Sequence, residues 1–344
     1  MEPGLLDRLA QGPVICAEGY LFELERRGYL QAGAFVPEVV LEHPELVAQL
    51  HREFVHAGSD VVEAFTYYAH REKLRVIGKE EQLEDMNRGA LAIAKEVADE
   101  TGALFAGDIC NTNVFVGDDA SRKAVRAMFE EQVGWAVDAG VDFVIAETFS
   151  WGEEALIALD VVKATGLPAV VTLAIHQDPE TREGWSPEDA CAKLEDAGAD
   201  VVGLNCIRGP GTMLPLLEMI RERVSGHVAA LPVPYRTTDG QPSFQSLRDP
   251  HCDVIPGGRP FPTALDPFVC NRYELEDFAR RAREIGVDYF GVCCGAGPHH
   301  IRAVAEGLGR TPPASRFSPD MSKHAFLGTH DRVPQEYKEY AEKL

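Results

Sequence analysis

Three cysteines in this chain stand where a strand-like run ends. Cys206 closes Val201-Val202-Gly203-Leu204-Asn205, and Cys293-Cys294 close Tyr289-Phe290-Gly291-Val292. Three thiolates brought together can hold one Zn²⁺ and leave a fourth position open, the arrangement of a catalytic rather than a structural zinc. Two other readings fit the same residues. The cysteines can be small buried core residues, or Gly295-Ala296-Gly297-Pro298 can be a phosphate-binding turn at a helix N-terminus. A second concentration of chemistry is aromatic: Phe65-Thr66-Tyr67-Tyr68, with Phe35 and Trp151 in other loops. Such rings can surround a quaternary ammonium through cation–π contacts, or simply pack in a core. Glu147 follows Phe143-Val144-Ile145-Ala146, where a carboxylate points toward the end of a sheet. Glu18, Glu63, Asp108 and His176 hold comparable strand-end places, either as site residues or as solvated ends.

Short apolar runs must position these groups. They are Val14–Cys16, Val61–Tyr67, Ala103–Ala106, Phe143–Ala146, Ala169–Ile175, Val201–Leu204, Val228–Val233 and Tyr289–Cys293. Rich in Val and Phe and without polar alternation, they suit strands of a parallel sheet buried on both faces. Helix-period segments separate them, at Pro37–Ala57, Lys79–Thr101, Ala120–Ala139, Trp151–Thr165, Pro187–Ala197, Met213–Val224, Tyr273–Ile285 and His299–Gly307. A weak repeat, Ala57-Gly58-Ser59-Asp60, Ala139-Gly140-Val141-Asp142, Ala197-Gly198-Ala199-Asp200 and Ile285-Gly286-Val287-Asp288, ends helices that lead into strands. Its glycine suits the left-handed cap that stops a helix. The pattern predicts an α/β fold, a (β/α)₈ TIM barrel, over a doubly wound open sheet; no G-x-G-x-x-G follows the first strand. In a barrel only one strand separates the sixth from the eighth, so Cys206 and Cys293-Cys294 converge at the mouth. Pro234 to Asn271, between the seventh strand and its helix, carries seven prolines and three glycines. A connection this long reads as a lid or binding element. The expected organisation is a barrel over residues 1–311 and a short C-terminal arm over 312–344, ending in a charged helix at Val333–Leu344.

Lys+Arg number 33 against 55 Asp+Glu in 344 residues, a formal net charge of −22. That charge repels phosphate backbones and anionic lipid, so neither nucleic acid nor a membrane is the expected partner. No secretory signal is apparent at the N-terminus, so a cytoplasmic location is expected. The eight cysteines then suit thiols or metal ligands rather than a disulfide framework.

Gly203-Leu204-Asn205-Cys206, Gly291-Val292-Cys293-Cys294-Gly295 and Pro298-His299-His300-Ile301-Arg302-Ala303 resemble the zinc motifs of the homocysteine S-methyltransferases. His43 to Asp60 and Phe65-Thr66-Tyr67-Tyr68-Ala69 resemble the betaine-using branch of that family. The resemblance implies a zinc barrel with ligands Cys206, Cys293 and Cys294, and Tyr68 as a fourth ligand in the resting state. It further implies Glu147 in the substrate pocket, and transfer of a methyl group from betaine or a related onium donor to homocysteine, giving methionine. Four positions depart from the pattern. The family's first-strand Asp-Gly-Gly is Ala17-Glu18-Gly19 here, a second-strand threonine is Ala64, a pocket tryptophan is Phe35, and the tyrosine after the glutamate is Thr148. Glu18 is therefore expected to take over the acceptor's ammonium group. The donor is expected to shift toward a larger or sulfonium compound (dimethylsulfoniopropionate, proline betaine or S-methylmethionine), held by Phe35, Phe65, Tyr67 and Tyr68. Another acceptor thiol, a cobalamin- or folate-dependent system and a zinc or redox sensor are the alternatives. The resemblance also implies a homo-oligomer, with a dimer favoured.

Overall fold

The structure, a computed structural model, describes residues 3–317 and 319–344. Among them eight strands close into a parallel barrel in chain order. These are β1 Val14–Ala17, β2 Val61–Glu63, β3 Leu104–Cys110, β4 Phe143–Phe149, β5 Ala169–Leu173, β6 Val201–Asn205, β7 His227–Leu231 and β8 Tyr289–Val292. The closing pair β1–β8 runs in register from Val14 against Tyr289 to Ala17 against Val292. The outer helices are Pro44–Ala57, Leu83–Thr101, Asp119–Ala139, Gly152–Lys163, Pro187–Asp196, Pro210–Arg223, Arg272–Ile285 and Pro298–Gly307. Burial on both faces explains the apolar runs. One cluster, with Cys16, Val61, Phe143, Ile145, Leu231 and Tyr289, fills the barrel. Leu5 and Leu9 of the short N-terminal helix belong to that cluster, so the helix closes the end opposite the cysteines.

The repeat has a physical cause. Gly58, Gly140, Gly198 and Gly286 adopt φ between 78° and 117°, which stops each helix in one residue. The aspartate two positions on reaches back to the preceding strand. Asp60 accepts from Ile15 N, Asp142 from Phe105 N and Asp200 from Ala169 N, each at 2.8 Å, and Asp288 accepts from Val228 N at 3.1 Å. Four copies thus tie alternate strands to their predecessors.

The structure corrects several expected boundaries. β2 stops at Glu63 instead of reaching Tyr67, because Thr66 N turns back to Ala64 O (2.7 Å) and Tyr68 takes φ 61°. That departure turns the aromatic segment from the sheet toward the mouth. β3 and β4 run further than expected, to Cys110 and Phe149. The expected helix Pro37–Ala57 breaks at His43, since the residue before a proline is driven out of helical conformation. The terminal helix is shorter than expected, Gln335–Ala341, and in the 312–344 segment the turn Pro313–Arg316 lies against helix Pro44–Ala57.

Asp142 makes its strand contact without an ion pair among the described residues. Asp142→Ala should lower unfolding free energy by about 1–2 kcal/mol, read by urea denaturation, because a backbone N–H bond to a charged acceptor is lost. An unchanged midpoint would show that the repeat does not tie the strands.

Candidate active site

β6 ends at Asn205 and the chain turns at once. Cys206 and Ile207 both adopt left-handed backbone, φ 57° and 55°. For residues with side chains, and a β-branched one above all, this stores of order 1–3 kcal/mol each. Neighbouring segments hold the turn in place. Cys206 N donates to Leu231 O (2.9 Å), Phe244 N donates to Ile207 O (2.9 Å), and the Arg208 guanidinium donates to the carbonyls of Ile175 and His176 (3.1 and 2.7 Å). Cys293 N donates to Pro232 O at 2.9 Å just past β8. The structure therefore brings the Sγ atoms of Cys206, Cys293 and Cys294 within 4.8 Å of one another, with 3.9 Å between Cys293 and Cys294. Hydrogen bonds from Cys293 and then Cys294 hold the Cys206 thiol well below the ordinary thiol value. Burial pushes Cys293 well up, and the bond to Cys206 does the same for Cys294. Three soft donors so spaced fit a metal ion that prefers sulfur.

Below the thiols lies an inner pocket of about 20 Å³, lined by Glu18, Glu63, Asp108, Glu147, Tyr67, Phe65 and the cysteines 293 and 294. Asn205 is its hub. The Asn205 amide nitrogen, with two hydrogens to give, lies within hydrogen-bond reach of Glu147, Glu18 Oε2 (3.2 Å) and Thr148 Oγ1 (2.9 Å), while its oxygen accepts from Thr148 N (2.9 Å). Thr148 Oγ1 in turn donates to Glu147 Oε2 at 2.8 Å. Burial raises all four carboxyls, Glu147 to about 8. Glu63 and Asp108, 2% and 5% exposed, each keep a buried oxygen without a hydrogen-bond partner among the described residues, as does Glu18. The solvated-end reading of Glu18, Glu63 and Asp108 is thereby overturned. Buried unpaired carboxyls suit a cationic group with N–H donors.

Above the thiols opens a cavity of about 290 Å³. Phe35, Tyr67, Tyr68, Thr148 and Trp151 line it, as do Cys206 and Cys294. Tyr67 and Tyr68 lie with ring centroids 4.3 Å apart, and burial pushes the Tyr68 phenol up to about 12. Two expected contacts change. Phe65 belongs to the inner pocket, tilted against Tyr20 at 5.6 Å, so its ring does not face the cavity. Gly19 lines neither space; a Cβ there would come within 2.3 Å of Ala296 O, so its place is to let the Cys293-Cys294 loop approach. Sequence reasoning missed Phe22, Phe115, Phe244 and Phe261 on the cavity wall. Phe244 and Phe261 come from the long connection after β7, whose irregular backbone gives no period to read. Asn205 was also missed, although its place directly before Cys206 was a usable signal.

Asp108 supplies a test of this electrostatics. Its raised folded value means that the unfolded chain releases the proton first, near the ordinary 3.8, so the carboxyl destabilises the fold as pH rises above about 4. Below that both states are protonated and the penalty vanishes. Asp108→Asn should therefore gain thermal stability relative to the parent as pH is raised from 4 to 8, with little difference at pH 4 and below. Melting curves that stay parallel across this range would contradict the assignment.

Comparison with known proteins places this geometry in a lineage. Residues 19–308 match the family model described as homocysteine S-methyltransferase. Betaine–homocysteine S-methyltransferase 1 of Danio rerio is 40% identical over 331 residues, covering 95% of this chain and 80% of the relative. The Xenopus tropicalis protein of the same name is 37% identical over 339 residues with the same coverage. S-methylmethionine–homocysteine S-methyltransferase of Pongo abelii is 37% identical over 334 residues, covering 95% and 86%. The metallated form of the Escherichia coli homocysteine methyltransferase MmuM shares the fold, with TM-score 0.67 at 18% identity over 87% of this chain and 98% of that one. The chain belongs to the homocysteine S-methyltransferase family.

Proposed function

We propose that this protein is a zinc-dependent thiol S-methyltransferase that moves a methyl group from betaine or a related onium donor to homocysteine, giving methionine. The observation that carries the reading is that two different environments, sharing Tyr67 and Cys294 in their walls, meet at the three-thiol cluster. An acid-lined inner pocket, a cluster of three thiols and an aromatic cavity lie together at the carboxyl ends of the strands, the face where barrels of this kind do chemistry.

Cys206, Cys293 and Cys294 would hold the metal, with Tyr68 on the cavity wall as the side chain available to a fourth position. Bound there, zinc supplies a lowered pKa for the acceptor thiol, so that it is a thiolate near neutral pH. The chain's residues do the rest. The inner carboxyls take the acceptor's ammonium, with Glu18 in place of the aspartate that Ala17 lacks and with Glu63 and Asp108 as the unpaired acceptors nearby. Asn205 and Thr148 hold Glu147 in position by the bonds described above. The aromatic faces of Phe35, Tyr67, Tyr68 and Trp151 hold the donor's cationic centre, without offering a nucleophile that competes for the methyl group. In-line transfer then moves the methyl carbon from onium nitrogen or sulfur to the acceptor sulfur, and the bond to the leaving atom breaks with its electron pair. A sulfonium donor is a second reading, favoured by the room beside Thr148 and by an S-methylmethionine-using relative at the same 37% identity.

The purified protein should bind about one Zn²⁺ per chain and form methionine from homocysteine and at least one onium donor. Cys206→Ala, Cys293→Ala and Cys294→Ala should each lose both properties. Full metal content and activity in all three variants would refute the ligand set. Among active preparations, kcat/KM for glycine betaine, dimethylsulfoniopropionate and S-methylmethionine ranks the donors, and we expect the larger or sulfonium donors to lead. Glu18→Gln should weaken homocysteine about ten- to a hundredfold, the usual effect of losing one charge-assisted contact. Unchanged homocysteine affinity would remove Glu18 from that role.

A further inference from the structure

Tyr235 is fully buried, yet it lies in the long connection that begins after β7. Its ring stacks on Phe244, a wall of the aromatic cavity, at 6.0 Å and 20°. Two close approaches put it between the loops that carry the thiols. Its backbone carbonyl sits so near Gly209, three residues after Cys206, that a Cβ there would lie 1.9 Å from the oxygen. Its hydroxyl lies against Gly295, next to Cys294, where a Cβ would come within 2.2 Å and where φ is 95°. Two glycines, one on each thiol loop, are thus shaped around one tyrosine.

Arg26, the last residue of helix Tyr20–Arg26 after β1, joins the same point. One guanidinium nitrogen donates to Tyr235 Oη at 2.8 Å and the other to Gly295 O at 3.0 Å. Among the described residues Arg26 makes no ion pair, and its guanidinium is committed to these two bonds. The carbonyl of Gly295 and the phenol of Tyr235 are therefore bridged by one planar cation, which suits the fixed fork of arginine better than a lysine ammonium.

The geometry points to Arg26 and Tyr235 as positioning residues that set the spacing of Cys206 against Cys293 and Cys294 from outside the ligand set. The inference rests on the metal reading above but concerns the thiols themselves. A strut of this kind keeps the three sulfurs close before any ion arrives, so part of the ordering is complete in the apoprotein. It also links the metal loops to the cavity wall through Phe244, so that the segment forming the donor's side and the segment forming the metal's side share one anchor.

The test uses the full chain with Tyr235→Phe, Arg26→Met, the double variant and Arg26→Lys. Zinc affinity is measured by chelator competition, and the metal-free protein is titrated with phenylarsine oxide, which forms two As–S bonds with a pair of thiols and releases water. Each of the first two substitutions should weaken zinc about tenfold, in the range seen when outer partners of a metal site are removed, and weaken the arsenical similarly. The double variant should be no worse than the weaker single one, and Arg26→Lys should recover part of the loss. The apoprotein's melting temperature should move by no more than about 3 °C. Unchanged affinity for both probes in both single variants would overturn the inference, whatever happens to the melting temperature. If the parent chain binds the arsenical but no zinc, the metal reading fails while the arsenical titrations still decide the strut.

Discussion

Two consecutive residues in left-handed backbone, Cys206 and Ile207, are the constraint around which the mouth of this barrel is built. Without that turn Cys206 would continue along β6 and its sulfur would not meet the pair beyond β8. A barrel places β6 and β8 on either side of β7, so the sulfurs can meet only if both chains bend over the end of β7. The bonds to Leu231 O and Pro232 O, adjacent carbonyls at that end, are how they do so. The strained turn is held by hydrogen bonds to three neighbours: Arg208 donates to carbonyls at the β5 end, Cys206 N donates to Leu231 O of β7, and Phe244 N of the β7 connection donates to Ile207 O. The long connection is therefore part of the thiol site's frame as well as a wall of the cavity.

The second organising element is the separation of charge on either side of the thiols. Four carboxyls without a basic partner among the described residues crowd the inner pocket, and burial raises the pKa of each. The outer cavity presents aromatic faces instead, which attract a diffuse cation without a counter-ion's hydrogen bonds. In the proposed reaction these two environments would sort an acceptor with a compact ammonium from a donor with a methylated onium. Asn205 and Thr148 sit at the boundary, where one amide satisfies groups from β1 and β4 at once.

Much of this was legible in the residues. The apolar runs gave eight strands because parallel strands buried on both faces cannot alternate, and the Gly-x-Asp repeat marked helix ends. That its aspartate anchors the preceding strand was not legible, since the partner is a backbone N–H some 30 to 60 positions away. The three cysteines stood at strand ends, so barrel order alone put them at one mouth. What the residues hid came from irregular segments. Phe244 and Phe261 lie in a connection with no period, and Phe65 faces inward because β2 ends early. Glu63 and Asp108 read equally well as solvated strand ends, and only the closed barrel shows them buried, each with one oxygen lacking a partner among the described residues.

The central claim is that the three cysteines form a metal centre with a position for the acceptor's sulfur. X-ray absorption at the zinc edge, on protein with and without homocysteine, reads the sulfur count directly. The account predicts three sulfurs and one lighter neighbour for the protein alone, changing to four sulfurs when homocysteine is added. A zinc shell that already holds four sulfurs, or one that homocysteine leaves unchanged at saturating concentration, would contradict it.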